Sequence, residues 1–148
     1  MIYLATDHNG VEKMNFVKEW LTKNGYEYVS CGADTYDKSD SYVDYIKKAN
    51  ELVKQEGNLG IYMCGTGLGA SIAANRCKGI RAVLCNMPES AYLGRFHNNA
   101  NVLVVSGGYK GYPKLSKHKL VKILKTFLTT PFEGDRHIQR IKDLDEMY

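Results

Sequence analysis

The sequence predicts an α/β fold: a parallel sheet covered on both faces by helices. Three observations carry that expectation. Short apolar runs alternate along the chain with segments whose apolar residues recur at helical spacing. The runs are almost continuously apolar, as strands buried on both faces must be, rather than alternating apolar and polar. Helical segments close on glycine, the residue that most easily ends a helix.

Taken in order, "IYLAT" (2–6) is the first strand. "GVEKMNFVKEWLTKNG" follows as a helix, with Val11, Met14, Val17, Trp20 and Leu21 on one face and Gly25 as the stop. "YEYVS" (26–30) is the second strand, and "SYVDYIKKANELVKQEG" a second helix closed by glycine. "LGIYMC" (59–64) is the third strand and "GASIAANRC" the third helix. "RAVLC" (81–85) is the fourth strand, followed by a helix over 88–97. "NVLVVS" (101–106) is the fifth strand. "KLSKHKLVKILKTFL" is a long amphipathic helix, and the tail from about 134 to 148 is helical as well. Strand–helix alternation of this kind gives a three-layer α/β/α, Rossmann-like fold with a five-stranded parallel sheet. The 148 residues suit a single domain spanning 1–148.

Composition narrows the function classes. Hydrophobic content is 44%, charged content 24% and net charge +4, ordinary values for a soluble globular chain. The lysines are scattered, so neither nucleic acid nor membrane is expected as a partner, whereas a small anion suits a mildly basic surface. No apolar run approaches the roughly 18 residues of a membrane span, and "MIYLATDHNG" does not read as a secretory leader. Cys31, Cys64, Cys77 and Cys85 form no C-x-x-C pair, so reduced thiols and a cytoplasmic location are expected.

In a doubly wound sheet, ligands bind beyond the carboxyl ends of the strands. That rule selects Asp7 and His8, the stretch from Cys64 to Gly69, Asn86, and Ser106 to Gly108. Cys64 stands where a strand meets a helix start, and unpaired N–H groups with the helix dipole favour a thiolate there. The alternative is a buried small residue, which is the reading for the other three cysteines. Gly65, Gly67 and Gly69 allow backbone N–H groups to approach negative charge. G-x-G-x-G after the third strand is neither the dinucleotide fingerprint nor a phosphate-binding P-loop. An oxyanion nest with the Thr66 and Ser71 hydroxyls remains, against a plain turn. Asp7 and His8 could bind hydroxyls or phosphate, or move protons. His97 lies in the polar cluster "GRFHNNAN". Arg136 and Arg140 are four apart, one helix face, and suit a phosphate as well as they suit a solvated basic surface. No His, Cys and carboxylate set has metal-ligand spacing, so no metal is expected. Thiol base, histidine acid, backbone donors and paired guanidiniums fit proton transfer next to a carbonyl, with a sugar phosphate as substrate.

"TDHNG" (6–10), "CGTGLGASIAAN" (64–75), "GIRAVLC" (79–85), "HNNANVL" (97–103) and "FEGDRHIQR" (132–140) occur in this order over nearly the whole chain. In these pieces the sequence resembles the type B ribose 5-phosphate isomerases and the related galactose 6-phosphate isomerase subunits. The resemblance implies an aldose–ketose isomerase without cofactor. Its leading substrate pair is ribose 5-phosphate and ribulose 5-phosphate. The alternatives are a six-carbon sugar phosphate of the galactose or allose 6-phosphate type, or a non-catalytic sugar-phosphate-binding subunit. It further implies Cys64 as the base, Thr66 as its helper, His97 as the ring-opening residue and Asn98 as a sugar ligand. Gly65, Gly67, Gly69 and Ser71 become the enediolate cradle. Asp7, His8, Arg136 and Arg140 become ligands of hydroxyls or phosphate. A homodimer or tetramer is implied, with active sites shared so that His97 crosses to the partner's Cys64. Four positions depart from the family pattern. Ser41-Tyr42-Val43 stands for Asp-Tyr-Pro, and Asn99 for an aspartate. Gly108 stands where a phosphate-holding arginine is common, with Lys110 as a nearby substitute.

Overall fold

A computed structural model describes residues 1–147 of the chain. Its elements alternate as the sequence requires. The first half runs β1 (Ile2–Ala5), a 3-10 turn (His8–Gly10), α1 (Val11–Lys23), β2 (Tyr28–Ser30), α2 (Tyr42–Val53) and β3 (Leu59–Cys64). The second runs α3 (Leu68–Asn75), β4 (Ala82–Leu84), α4 (Pro88–Asn98), β5 (Val102–Ser106), α5 (Lys117–Thr129) and α6 (His137–Glu146). The predicted helical tail begins later than Gly134, and its last position, 148, lies outside the described residues. Gly134 and Asp135 both take positive φ, at 80° and 46°, which holds off the α-helix until His137.

The five strands lie in the order β2-β1-β3-β5-β4, and every pairing is parallel. β3 and β5 sit at the centre, with Cys64 opposite Ser106 at the last rung. The winding direction reverses between β1 and β3, and at such a reversal the strand ends part into a crevice.

Side-chain alternation along each strand sends residues to opposite faces. Ile61 and Met63 of β3, with Leu103 and Val105 of β5, join Met14, Val17 and Leu21 of α1 and Leu120, Leu124 and Phe127 of α5. Tyr62 and Cys64, with Val102 and Val104, join Ile46 and Ala49 of α2 and Ala70 and Ala74 of α3. Leu120, Ile123, Leu124 and Phe127 are fully buried, and each such side chain stabilises the fold by roughly 1.5–3 kcal/mol. The second layer also holds a polar tie. Tyr62 donates to Asn50 Oδ1 at 3.1 Å, and Asn50 Nδ2 donates to the Ala74 carbonyl at 3.2 Å. Burial pushes the Tyr62 phenol well above its ordinary range. The tie locks α2 and α3 to β3 directly behind Cys64.

Candidate functional site

The carboxyl ends of β3 and β5 and the turn after β1 meet backbone to backbone at Gly107. A Cβ on Gly107 would stand 2.6 Å from Gly10 Cα and 2.8 Å from the Cys64 carbonyl oxygen. Gly107 N–H donates to that same oxygen at 2.8 Å, and Gly108 N–H to the Gly65 carbonyl at 3.0 Å. Ser106 Oγ donates to Gly65 O at 2.9 Å. Only glycine allows three backbones this close. The loop after β5 thereby fixes the turn that carries Cys64.

Cys64 itself is more enclosed than the sequence suggests. It is 5% exposed and packs with Ala5, Tyr62, Ala70 and Val104. A central strand imposes that burial up to its last residue. Immediately beyond it the chain opens. Gly67 adopts φ 83° as the N-cap of α3, a conformation costly for any residue with a Cβ. Thr66 Oγ1 accepts from Leu68 N–H at 3.2 Å. Gly69 and Ala70 N–H groups stand in the first turn, where no helix carbonyl can reach them. The turn that follows the thiol in sequence therefore keeps N–H donors outside the helix ladder, the kind of group that can receive a developing oxyanion. Burial drives Cys85 to about 12 and raises Cys31, which disfavours the thiolate at both.

Asp7 and His8 belong to this edge. Asp7 is buried, accepts from Asn9 N–H at 3.0 Å, and burial raises its carboxyl above the ordinary range. His8 Nδ1 lies 2.6 Å from Asp40 Oδ1, and its backbone N–H donates to the same oxygen at 3.2 Å. Asp40 enters the sequence reading only as the acidic neighbour of Ser41-Tyr42-Val43, without a role at the site. Its other oxygen, Oδ2, is buried without a hydrogen-bond partner. Lys13, Tyr42 and Tyr109 were missed as site residues. Lys13 Nζ donates to the Ser106 carbonyl at 2.7 Å, and burial lowers its ammonium's pKa. The Tyr42 hydroxyl would lie 2.5 Å from a Cβ on Gly69, and Tyr109 packs over Gly65. No local pattern signals them, because each reaches the site through the fold.

The remaining predicted residues lie elsewhere. α4 leads from the carboxyl end of β4 back to the start of β5. Its 11 residues span about 16 Å at 1.5 Å per residue. His97 and Asn98, in its last turn, thus sit at the edge of the sheet opposite Cys64. Arg136 and Arg140 share that far edge through α6 and are exposed. The far edge is pinned by Arg81, which binds Asp145 through two bonds of 2.8 and 2.7 Å and donates from Nε to Asn99 O at 3.0 Å. It is also tied by Glu133 N–H to Phe96 O at 2.9 Å. The candidate residues therefore form two clusters in one chain, not one. Where sequence spacing offers no metal-ligand set, the fold assembles one: His97, Glu133 and His137 bring their ligand atoms within 4.8 Å of one another.

The family model for Ribose/Galactose Isomerase matches residues 2–144. The chain is 37% identical over 147 residues to the ribose-5-phosphate isomerase B of Mycobacterium leprae, covering 98% of this chain and 88% of that one. It is 36% identical over 142 residues to a probable ribose-5-phosphate isomerase B of Mycoplasma genitalium, covering 95% and 90%. The crystal structure of the Thermotoga maritima ribose 5-phosphate isomerase superposes with a TM-score of 0.89 at 44% identity, covering 98% of this chain and 97% of that one. The Mycoplasma genitalium enzyme with bound ribulose-5-phosphate gives 0.90 at 34% identity, covering 99% and 94%.

Proposed function

This chain belongs to the ribose/galactose isomerase family, and from that premise we propose that it interconverts ribose 5-phosphate and ribulose 5-phosphate through an enediolate, with Cys64 as the base. The observation that carries the reading is the placement of the thiol. Cys64 ends the central strand, and the next residues are the positive-φ Gly67 and the donor-rich start of α3.

In this mechanism the Cys64 thiolate takes the C2 proton of the open aldose. The C–H electron pair becomes the C1=C2 bond, and O1 takes the negative charge, facing the N–H donors of the loop. Thr66 orients the loop and Ser71 lies one turn into the helix. The proton returns to C1, the O2 hydroxyl gives its proton to O1, and a ketose results with no net change in atoms. Asp7 and His8 hold substrate hydroxyls or phosphate, with Asp40 fixing the His8 ring. No metal enters any step.

His97, Asn98, Arg136 and Arg140 complete the site from a second subunit. The two edges of one sheet cannot meet, so a homodimer with crossed sites reunites them, His97 opening the furanose ring at the partner subunit's Cys64. Exposed apolar side chains supply a surface for pairing: Leu68 and Ile72 on α3, Leu93 on α4, and Ile138 and Leu144 on α6. A six-carbon sugar phosphate is the second reading. A Cβ on Gly108 would meet nothing within 4 Å, which leaves room at the rim where the family often has an arginine.

Two inactive variants test the reading together. Cys64→Ala should abolish turnover and the exchange of the substrate C2 hydrogen with solvent, while the chain stays folded. His97→Ala should block ribose 5-phosphate more than ribulose 5-phosphate, which has no ring to open. Random subunit exchange between the two variants should restore about a quarter of native activity, since half the dimers are mixed and each mixed dimer has one intact site. Exchange without restored activity refutes crossed sites. A near-normal rate in Cys64→Ala refutes the thiolate base.

A further inference from the structure

His137 is the most buried imidazole of the far edge and makes no hydrogen bond from Nε2. The residue is 5% exposed, and Nε2 is sealed from solvent without a hydrogen-bond partner. Yet Glu133 Oε2 lies 3.1 Å from that nitrogen. The two atoms are close enough for an ion pair but out of line for a hydrogen bond. That combination has a specific geometric meaning. Two ligands of one metal ion point their lone pairs at the ion, not at each other. With bonds near 2.0–2.1 Å, tetrahedral ligands stand about 3.4 Å apart. The Glu133–His137 separation is close to that value. His97 supplies a third donor. Its ring stacks on His137 at a centroid distance of 4.6 Å, and its nitrogen falls within the 4.8 Å set.

We propose that His97, Glu133 and His137 form a binding site for a divalent transition-metal ion, zinc above all, and that occupation of the site silences the enzyme. The second part rests on the ring-opening role of His97 given above. Two imidazoles and one carboxylate suit zinc and related borderline ions rather than magnesium or calcium, which require oxygen ligands. The fourth position is open to water, because His97 is half-buried and Glu133 exposed. Three elements set the ligands: the last turn of α4, the loop before α6, and the first residue of α6. Closing His97 onto the ion takes a side-chain adjustment of about 1.4 Å from the outer limit of the set. A ring nitrogen bonded to zinc has its lone pair occupied and cannot accept or deliver a proton. Bound metal therefore removes the acid–base group.

The test separates binding from turnover. Zinc is titrated by calorimetry into chelator-stripped Cys64→Ala protein, so that the thiol cannot contribute. One zinc per chain is expected, with affinity at least tenfold weaker in Cys64→Ala/Glu133→Gln. No zinc binding in Cys64→Ala, or equal affinity in the double variant, overturns the site. In the native-cysteine chain, zinc should inhibit ribose 5-phosphate turnover reversibly with chelator, and Glu133→Gln should keep basal activity and resist inhibition. Inhibition that is undiminished in Glu133→Gln overturns the proposed silencing. A near-normal rate in Cys64→Ala, with no zinc present, refutes only the thiolate-base reading and leaves the zinc titration standing, so the two can fail independently.

Discussion

Replacing Gly107 with alanine probes the seam that positions Cys64. The new Cβ meets Gly10 Cα at 2.6 Å, Cys64 O at 2.8 Å and Gly10 N at 3.1 Å. All three are backbone atoms, so no side chain can swing aside. Overpacking of this kind costs about 1–3 kcal/mol. Parting the strands also strains the 2.8 Å bond from Gly107 N–H to Cys64 O, a contribution of about 0.5–1.5 kcal/mol. Alanine restricts the unfolded chain and returns about 0.4–1 kcal/mol. The net is a destabilisation of about 2–3 kcal/mol, or a Tm lower by about 5–10 °C for a chain of this size. Gly57→Ala is the control. Its φ is 83° and a Cβ there meets nothing within 4 Å, so it carries only the left-handed backbone cost of about 1–2 kcal/mol. Thermal unfolding followed by circular dichroism reads both. Activity of Gly107→Ala, measured below its transition, should fall while that of Gly57→Ala stays near parent. A Gly107→Ala protein melting within about 2 °C of the parent would refute the claim that the seam is closed to side chains.

Asp7→Asn should stabilise the chain at neutral pH and lose activity. Burial raises the folded-state pKa of Asp7 above 3.8, so in the window above 3.8 the folded state binds more protons than the unfolded one. Stability then falls as pH rises through that window. The advantage of asparagine should shrink as pH drops toward 3.8, and a pH-independent difference in Tm would count against a buried charge. Asp145→Ala removes the two-bond anchor of Arg81 on α6. It should cost about 1 kcal/mol, since the pair is partly exposed. It should also raise KM with little change in kcat, because α6 carries Arg136 and Arg140; an unchanged KM would separate α6 from substrate binding.

The central strands were legible because β3 and β5 are buried on both faces and are apolar at almost every position. β2 shortened from the expected 26–30 to Tyr28–Ser30 because it is an edge strand, only partly buried. The 3-10 turn at His8–Gly10 has no periodic signal, since Asp7 side-chain capping of Asn9 creates it. Cys64 to Gly69 was readable as chemistry because thiol and glycines adjoin in sequence. Asp40 lies 32 positions from His8, and Lys13 lies 93 from Ser106; only folding brings such pairs together. The division of the candidate residues between two edges has no local signal and was implied only by the family resemblance, through its shared sites. Linear order does not reveal that α4 carries His97 away from Cys64.

Where Gly107 meets Gly10 and the Cys64 carbonyl, the floor of the cleft is backbone against backbone, with no side chain to trim or enlarge. Adapting this scaffold to a longer or shorter sugar is therefore a matter for its walls, where Tyr42 and Tyr109 crowd the glycine loop. Mutational drift in such a cleft can retailor the guest while the machinery beneath stays untouched.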